Sequence, residues 1–247
     1  MKKQSQFNIE LNQMLDEAFE NSKKKIDPKE YKKYDDILSS HQELARFYRE
    51  ELRYLKKKNS QEIVSVTYTK GGETMFHRGY YCPSLFHTYI VGGTKRGKLL
   101  KRFSKKFSFK YGFDKLGKLI YVQNNDEFEQ FQDSQFQEFI TYDKNIEIGI
   151  SVRYDNTIWM ISRCEYEDGK LLKYERSDFE MPEVYIEEYS YNDNQLVGFE
   201  TALYTPSIEI CSREKYEVKQ NDNGEIVYLR GGSLYNGKWG EDEYFFD

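Results

Sequence analysis

His77 and His87 are two of the three histidines in the chain, and Cys82 stands midway between them in the run HRGYYCPSLFH. Imidazole and thiolate are ligands for zinc, and a Cys-His pair can act as an activated nucleophile. A hairpin turning at Cys82-Pro83-Ser84 would set the two rings opposite one another, about 5 Å apart at Cβ. The same geometry leaves Cys82 at the turn, away from both rings. Residues 74–113 contain no Asp or Glu to complete a metal shell or to orient a ring. The spacing predicts a structural β-hairpin. A metal-dependent hydrolase near His77 and His87 is the alternative that these residue types would serve.

Two further groups of residues have the types that chemistry needs. Gly92, Gly97 and Lys98 satisfy the G-x4-G-K spacing of a phosphate loop. Leu99, however, stands where a magnesium-binding Ser or Thr is required, and the residues that follow alternate like a strand. A long basic hairpin loop is expected there, without a nucleotide. Carboxylates crowd the C-terminal half: Glu183, Glu187, Glu188, Glu200, Glu209, Glu214 and Glu217 lie on or beside expected strands. Neighbours on a strand point to opposite faces, so no spacing selects an acid–base dyad. No catalytic residue, metal ligand or cofactor is assigned from sequence.

The elements that would position these groups follow from periodicity. Residues 8–22 carry Ile9, Leu11, Leu15, Ala18 and Phe19, and read as a first helix. Asp27-Pro28 is a cap followed by a first helical residue. Beyond it Tyr31, Tyr34, Leu38, His41, Ala45, Tyr48, Leu52 and Leu55 recur at spacings of three and four, one stripe of a long helix. His41 is expected to be a structural histidine on that stripe. From Glu62 the period becomes two, with strands expected in EIVSVTYT, TMFHRGYY, FHTYIV, KFSFKYGF and a succession of later runs to EIVYLRG. Asp/Asn/Gly turns separate them, and no helical pattern intervenes except a short one within 127–138. The fold class expected is α+β: an N-terminal helical hairpin followed by a long, twisted or rolled antiparallel β-meander. Residues 1–58 are taken as the helical segment packed on the sheet, and 59–247 as the antiparallel β domain.

The net charge of −5 is unevenly distributed. Residues 1–73 hold 15 Lys/Arg and 13 Asp/Glu, residues 74–113 hold nine and none, and residues 114–247 hold 13 and 29. Within the basic segment Phe103, Phe107, Phe109, Tyr111 and Phe113 share a strand parity. They are therefore expected to form a buried face, with Lys101, Arg102, Lys105 and Lys106 left wet. Three well-separated cysteines suit free thiols. With no apolar leader run and no stretch near the roughly 18 apolar residues of a span, a cytoplasmic location away from membranes is expected.

Tyr111, Phe113, Asp114, Gly117 and Leu119 in YGFDKLGKLIYV resemble the YD repeat of Rhs-type proteins, Y-x-Y-D-x-x-G-x-L, with Phe for the second Tyr. The hairpins after Tyr166 and Tyr189 depart further: one has a shorter turn, and in the other Gln195 replaces the glycine. The resemblance implies meandering aromatic hairpins. Together with the Lys/Asn/Tyr-rich composition, the chain resembles a bacterial toxin-immunity-type protein, which implies a non-enzymatic module meeting a basic protein on an acidic sheet. The seven glutamates named above, from Glu183 to Glu217, are the expected contacts. The alternative is a nucleic-acid-binding protein using the 95–110 strip through Lys101, Arg102, Lys105 and Lys106.

Overall fold

The computed structural model describes residues 28–71, 77–91, 96–125, 136–208, 210–235 and 237–246. The first expected helix, 8–22, lies outside the described residues, as do most of 127–138; Phe136–Glu138 already belong to a strand. Helix α1 spans Pro28–Glu62 and starts at the proline the sequence marks. Its 35 residues make a rod of about 52 Å. Tyr34, His41, Ala45, Leu52 and Leu55 of the stripe are buried, and Asn59 extends the stripe by one more turn. The Asn59 amide donates to the Ile120 carbonyl at 2.6 Å and ties the end of the helix to the sheet.

The strands are β1 Ser65–Lys70, β2 Lys98–Leu99, β3 Phe109–Phe113, β4 Leu119–Asn124, β5 Phe136–Asp143, β6 Ile146–Arg153, β7 Ile158–Glu167, β8 Lys170–Asp178, β9 Glu183–Asn192, β10 Gln195–Thr205, β11 Ile210–Gln220, β12 Ile226–Tyr235, β13 Lys238–Trp239 and β14 Asp242–Phe245. They form one 14-stranded sheet in the order β13-β12-β11-β10-β9-β8-β7-β6-β5-β4-β3-β1-β2, with β14 also on β12. Every pairing is antiparallel. Hairpin follows hairpin because the turn residues accept left-handed backbone: Lys144, Asn156, Asp168 and Asp193 all have φ between 49° and 70°. At a strand spacing of about 4.8 Å, the stack runs for about 60 Å. It does not close, so both faces need cover.

Helix α1 covers one face. Ala45, Leu52 and Leu55 pack with Phe139, Ile150, Val152, Ile158 and Ile161, while Tyr34 packs with Val184, Ile186, Ala202 and Tyr204. His41 is buried there, its Nδ1 2.7 Å from Ser177 Oγ. Residues 77–91 cover the other face. They are not the two strands and turn that the sequence predicts: Gly79–Tyr81 is a 3-10 turn and Phe86–Val91 a π-helix. Leu85, Phe86, Tyr89 and Ile90 cover the aromatic core of Tyr174, Tyr185, Tyr189, Phe199 and Tyr216. The alternation that reads as a hairpin arises because this strap is apolar toward the sheet. Gly79 lies so close to β3 that a Cβ there would overlap the Phe109 ring.

Candidate functional site

The strap presses polar groups into the sheet as well as apolar ones. Arg78 has left-handed φ of 65° and is 3% exposed. Its guanidinium donates through Nε to Glu138 Oε2 at 3.0 Å, through Nη2 to Ser162 Oγ at 3.1 Å, and through Nη1 to Glu147. His77 bridges Glu138 Oε1 at 2.9 Å and Tyr174 OH at 2.7 Å. The antiparallel register sets Gly149 opposite Ser162 and Glu147 opposite Cys164, so these groups share one face. Gly149 makes room, since a Cβ there would overlap Glu138 Oε1, Ser162 Oγ and Arg78 Nη2. Burial alone would raise the Glu138 carboxyl, but Arg78 and His77 outweigh it and hold it down at about 2. Burial lowers His77, against the pull of Glu138.

Six residues after Arg78, Ser84 caps the turn that follows. Its Oγ accepts the His87 N–H at 2.9 Å and lies 2.7 Å from His87 Nδ1. Glu187 accepts the Leu85 N–H at 3.0 Å, the Ser84 hydroxyl, and the Tyr185 and Tyr189 hydroxyls, each at 2.5 Å. Burial pushes the Glu187 carboxyl up, against those four hydrogen bonds. A serine, a histidine and a carboxylate thus meet, but not in a nucleophile's arrangement: the carboxylate binds the serine and does not orient the imidazole. Ser84 is buried where the strap meets the sheet, and burial pushes His87 down to about 3. The Cys82 thiol is pushed by burial up to about 11, away from thiolate chemistry. His77 thus ties the strap to Glu138 and Tyr174 of the sheet, while His87 bonds to Ser84 within the strap and packs its ring edge-on to Tyr185. Among the described residues no group of three or more His, Cys, Asp or Glu is placed to hold a metal ion. Gly97-Lys98 leads into β2 and not into a helix, which removes the phosphate-loop geometry.

The carboxylates expected to meet a partner are dispersed and internally engaged. Glu187 is fully buried under the strap and has no place on a surface. Glu188 is exposed and pairs with Lys33 at 2.9 Å. Glu200 pairs with Lys215 at 2.6 Å and Arg213 at 3.6 Å. Glu214 accepts the Tyr216 hydroxyl. Glu217 is exposed directly opposite Arg230 of β12. Glu183 is half-buried, and Glu209 lies outside the described residues.

The basic strip is placed differently. Lys101, Arg102, Lys105 and Lys106 all lie exposed in the loop between β2 and β3, not on a strand. Strand β3 begins only at Phe109, so the shared parity of the phenylalanines holds for Phe109 and Tyr111, which are buried, and fails for Phe103, which is 63% exposed. The sequence contains the reason. Lys101-Arg102 and Lys105-Lys106 are adjacent pairs, and on a strand each pair would put one cation into the core. The loop is instead held in place by hydrogen bonds. Leu100 N–H donates to Tyr68 O at 2.8 Å and Ser108 N–H to Thr69 O at 2.7 Å. Asn125 Nδ2 donates to Lys105 O at 3.2 Å and to Phe107 O at 2.8 Å. Lys70 and Lys98 are register partners at the edge of the sheet and add two exposed cations. Among the described residues none of these six cations makes an ion pair.

No protein-family model, curated protein or solved structure matches this chain. The fold and the two ends of the sheet carry the functional reading.

Proposed function

We propose that this chain is a nucleic-acid-binding protein that holds a phosphate backbone at the basic end of its sheet. The supporting observation is the group of six exposed cations on β1, β2 and the 100–108 loop, none of them in an ion pair among the described residues; five of the six fall in 74–113, a stretch that holds no carboxylate. Each cation that neutralises a phosphate releases counterions, so affinity falls with salt by about 0.7 to 0.9 log units per log unit of salt and per contact. Replacing Lys101, Arg102, Lys105 and Lys106 with Gln removes up to four contacts. The slope measured by fluorescence anisotropy on a labelled oligonucleotide should then fall by about 3. An unchanged slope, or no binding at low salt, overturns the reading.

A second reading is supported by the opposite end of the sheet. There Glu217, Glu241, Asp242 and Glu243 lie exposed on β11, β14 and the turn before β14. A basic protein partner of the toxin-immunity kind would be steered to that edge. Lysine substitutions at these four positions should slow its association and flatten the salt dependence. The internal pairing of Glu188 and Glu200 and the burial of Glu187 make this the weaker of the two.

A further inference from the structure

We propose that the basic end takes single-stranded nucleic acid and stacks its bases on an aromatic platform of Phe103, Tyr68 and Phe107. This rests on the nucleic-acid reading above and adds what the charges alone do not specify. The three rings form one cluster: Tyr68 lies 5.1 Å from Phe103 and 5.0 Å from Phe107, edge-on to each, and Phe103 and Phe107 are 6.3 Å apart.

The fold explains why this cluster reaches the surface, with Phe103 exposed and Tyr68 and Phe107 half-buried beneath it. Tyr68 alternates with the buried Thr69, and its register partner is Lys110. It therefore stands on the face that α1 covers elsewhere. The helix stops at Glu62, and Ile63 closes over Gly112, where a Cβ would overlap its side chain. The outermost strands of that face receive no cover from the helix. Phe103 and Phe107 fold over Tyr68 from the loop, and Phe103 remains largely in solvent. Val66, also exposed, shares the face by alternation.

An exposed phenylalanine in an anchored loop, flanked in sequence by Lys101-Arg102 and Lys105-Lys106, matches what a single strand offers. Cations track its phosphates, while its unstacked bases present π-faces to the rings. A duplex hides those faces inside its own stack. Stacking tolerates any base, so binding should be strong in salt dependence and weak in sequence preference.

The test is fluorescence anisotropy of the full chain with a labelled thymidine strand of about 16 nucleotides, the matching duplex, and inorganic polyphosphate as competitor. Expected are tighter binding to the single strand than to the duplex and a loss of about tenfold on Phe103→Ala, confined to the single strand. Phe103→Trp should restore affinity and show quenching of its fluorescence on binding. Among the described residues Phe103 makes no hydrogen bond, and it lies outside the core clusters, so its replacement should leave the sheet folded. Equal binding of strand, duplex and polyphosphate, unchanged by Phe103→Ala, overturns the stacking inference and leaves the electrostatic reading standing. Failure to bind any of the three at low salt overturns both.

Discussion

Arg78 is the cation that joins Glu138, Glu147 and Ser162 beneath the first turn of the strap, and its removal tests that arrangement quantitatively. Arg78→Met keeps the length and apolar stem of the side chain but leaves Glu138 and Glu147 facing each other across a water-poor interior. Breaking a buried pair by removing one partner costs about 3–5 kcal/mol. The structure gives a second route to the magnitude. Glu138 is held near 2 where an ordinary glutamate titrates near 4.5, and each pKa unit is worth about 1.4 kcal/mol, which makes about 3 kcal/mol at neutral pH. The sign follows from the folded value lying below the unfolded one. This stabilisation is complete above about 4.5 and is lost as pH falls through about 2. In the variant the Glu138 carboxyl rises, because burial is then opposed only by His77. It takes up a proton in the acid range, and the deficit shrinks. Urea unfolding followed by fluorescence should show a deficit of about 3–5 kcal/mol near pH 7, and a clearly smaller one near pH 3.5. Adding Glu138→Leu and Glu147→Met should recover much of the loss, since apolar side chains of similar volume can replace a buried ion network. A deficit under about 1 kcal/mol near pH 7, or one that does not change with pH, refutes the reasoning.

Two other sites give sharp expectations. His41 lies on the other face, with Glu175, Arg163 and Lys173 around it; burial first, then the two cations against Glu175, hold it down at about 4. Its folded value lies below the unfolded 6.5, so acid favours the unfolded chain, and stability drops by about 3 kcal/mol as pH falls from 6.5 to 4. His41→Gln should flatten that part of the stability–pH curve; an identical curve would show that the histidine is not the group being titrated. Gly149→Ala should cost more than about 2 kcal/mol in urea unfolding, because its methyl would occupy the space of Glu138, Ser162 and Arg78. A neutral Gly149→Ala would mean the network does not sit against the strand.

Much of the architecture could be read from residue order. The Asp27-Pro28 start, the stripe from Tyr31 to Leu55 and the hairpin turns at Asp168, Asp193 and Gly224 are local signals, and local signals survive without knowledge of the partner elements. The strap did not read correctly because its apolar alternation reports burial against a sheet and not strand pairing. The π-helix at Phe86–Val91 has the same apolar content as a strand of that length. The short strands β13 and β14 were missed because two to four residues carry no measurable period. Glu138 and Arg78 were missed for another reason. A carboxylate inside an apolar run such as EFITYD hints at a buried charge, but its partner lies 60 positions away in a segment whose path local signals do not fix. The loop from Lys101 to Lys106 carried a usable signal, the paired cations, which a parity count over the phenylalanines overrode.

The meander also settles how charge is distributed in space. In most folds a basic segment and an acidic segment of the same chain can be brought together by a crossover, and their fields then cancel. Here strand order follows chain order from β3 to β12, so distance along the sequence becomes distance along the sheet. The cations of 96–110 must therefore lie at one end, and the carboxylates of 217–243 at the other, about 9 strand spacings or roughly 45 Å apart. That separation exceeds the Debye length of about 8 Å at physiological salt several-fold, so each end acts on its surroundings independently of the other. On the nucleic-acid reading proposed above, a polyanion would meet an attractive end although the chain as a whole is negative. Linear chain order alone is enough to give this protein a basic end and an acidic end.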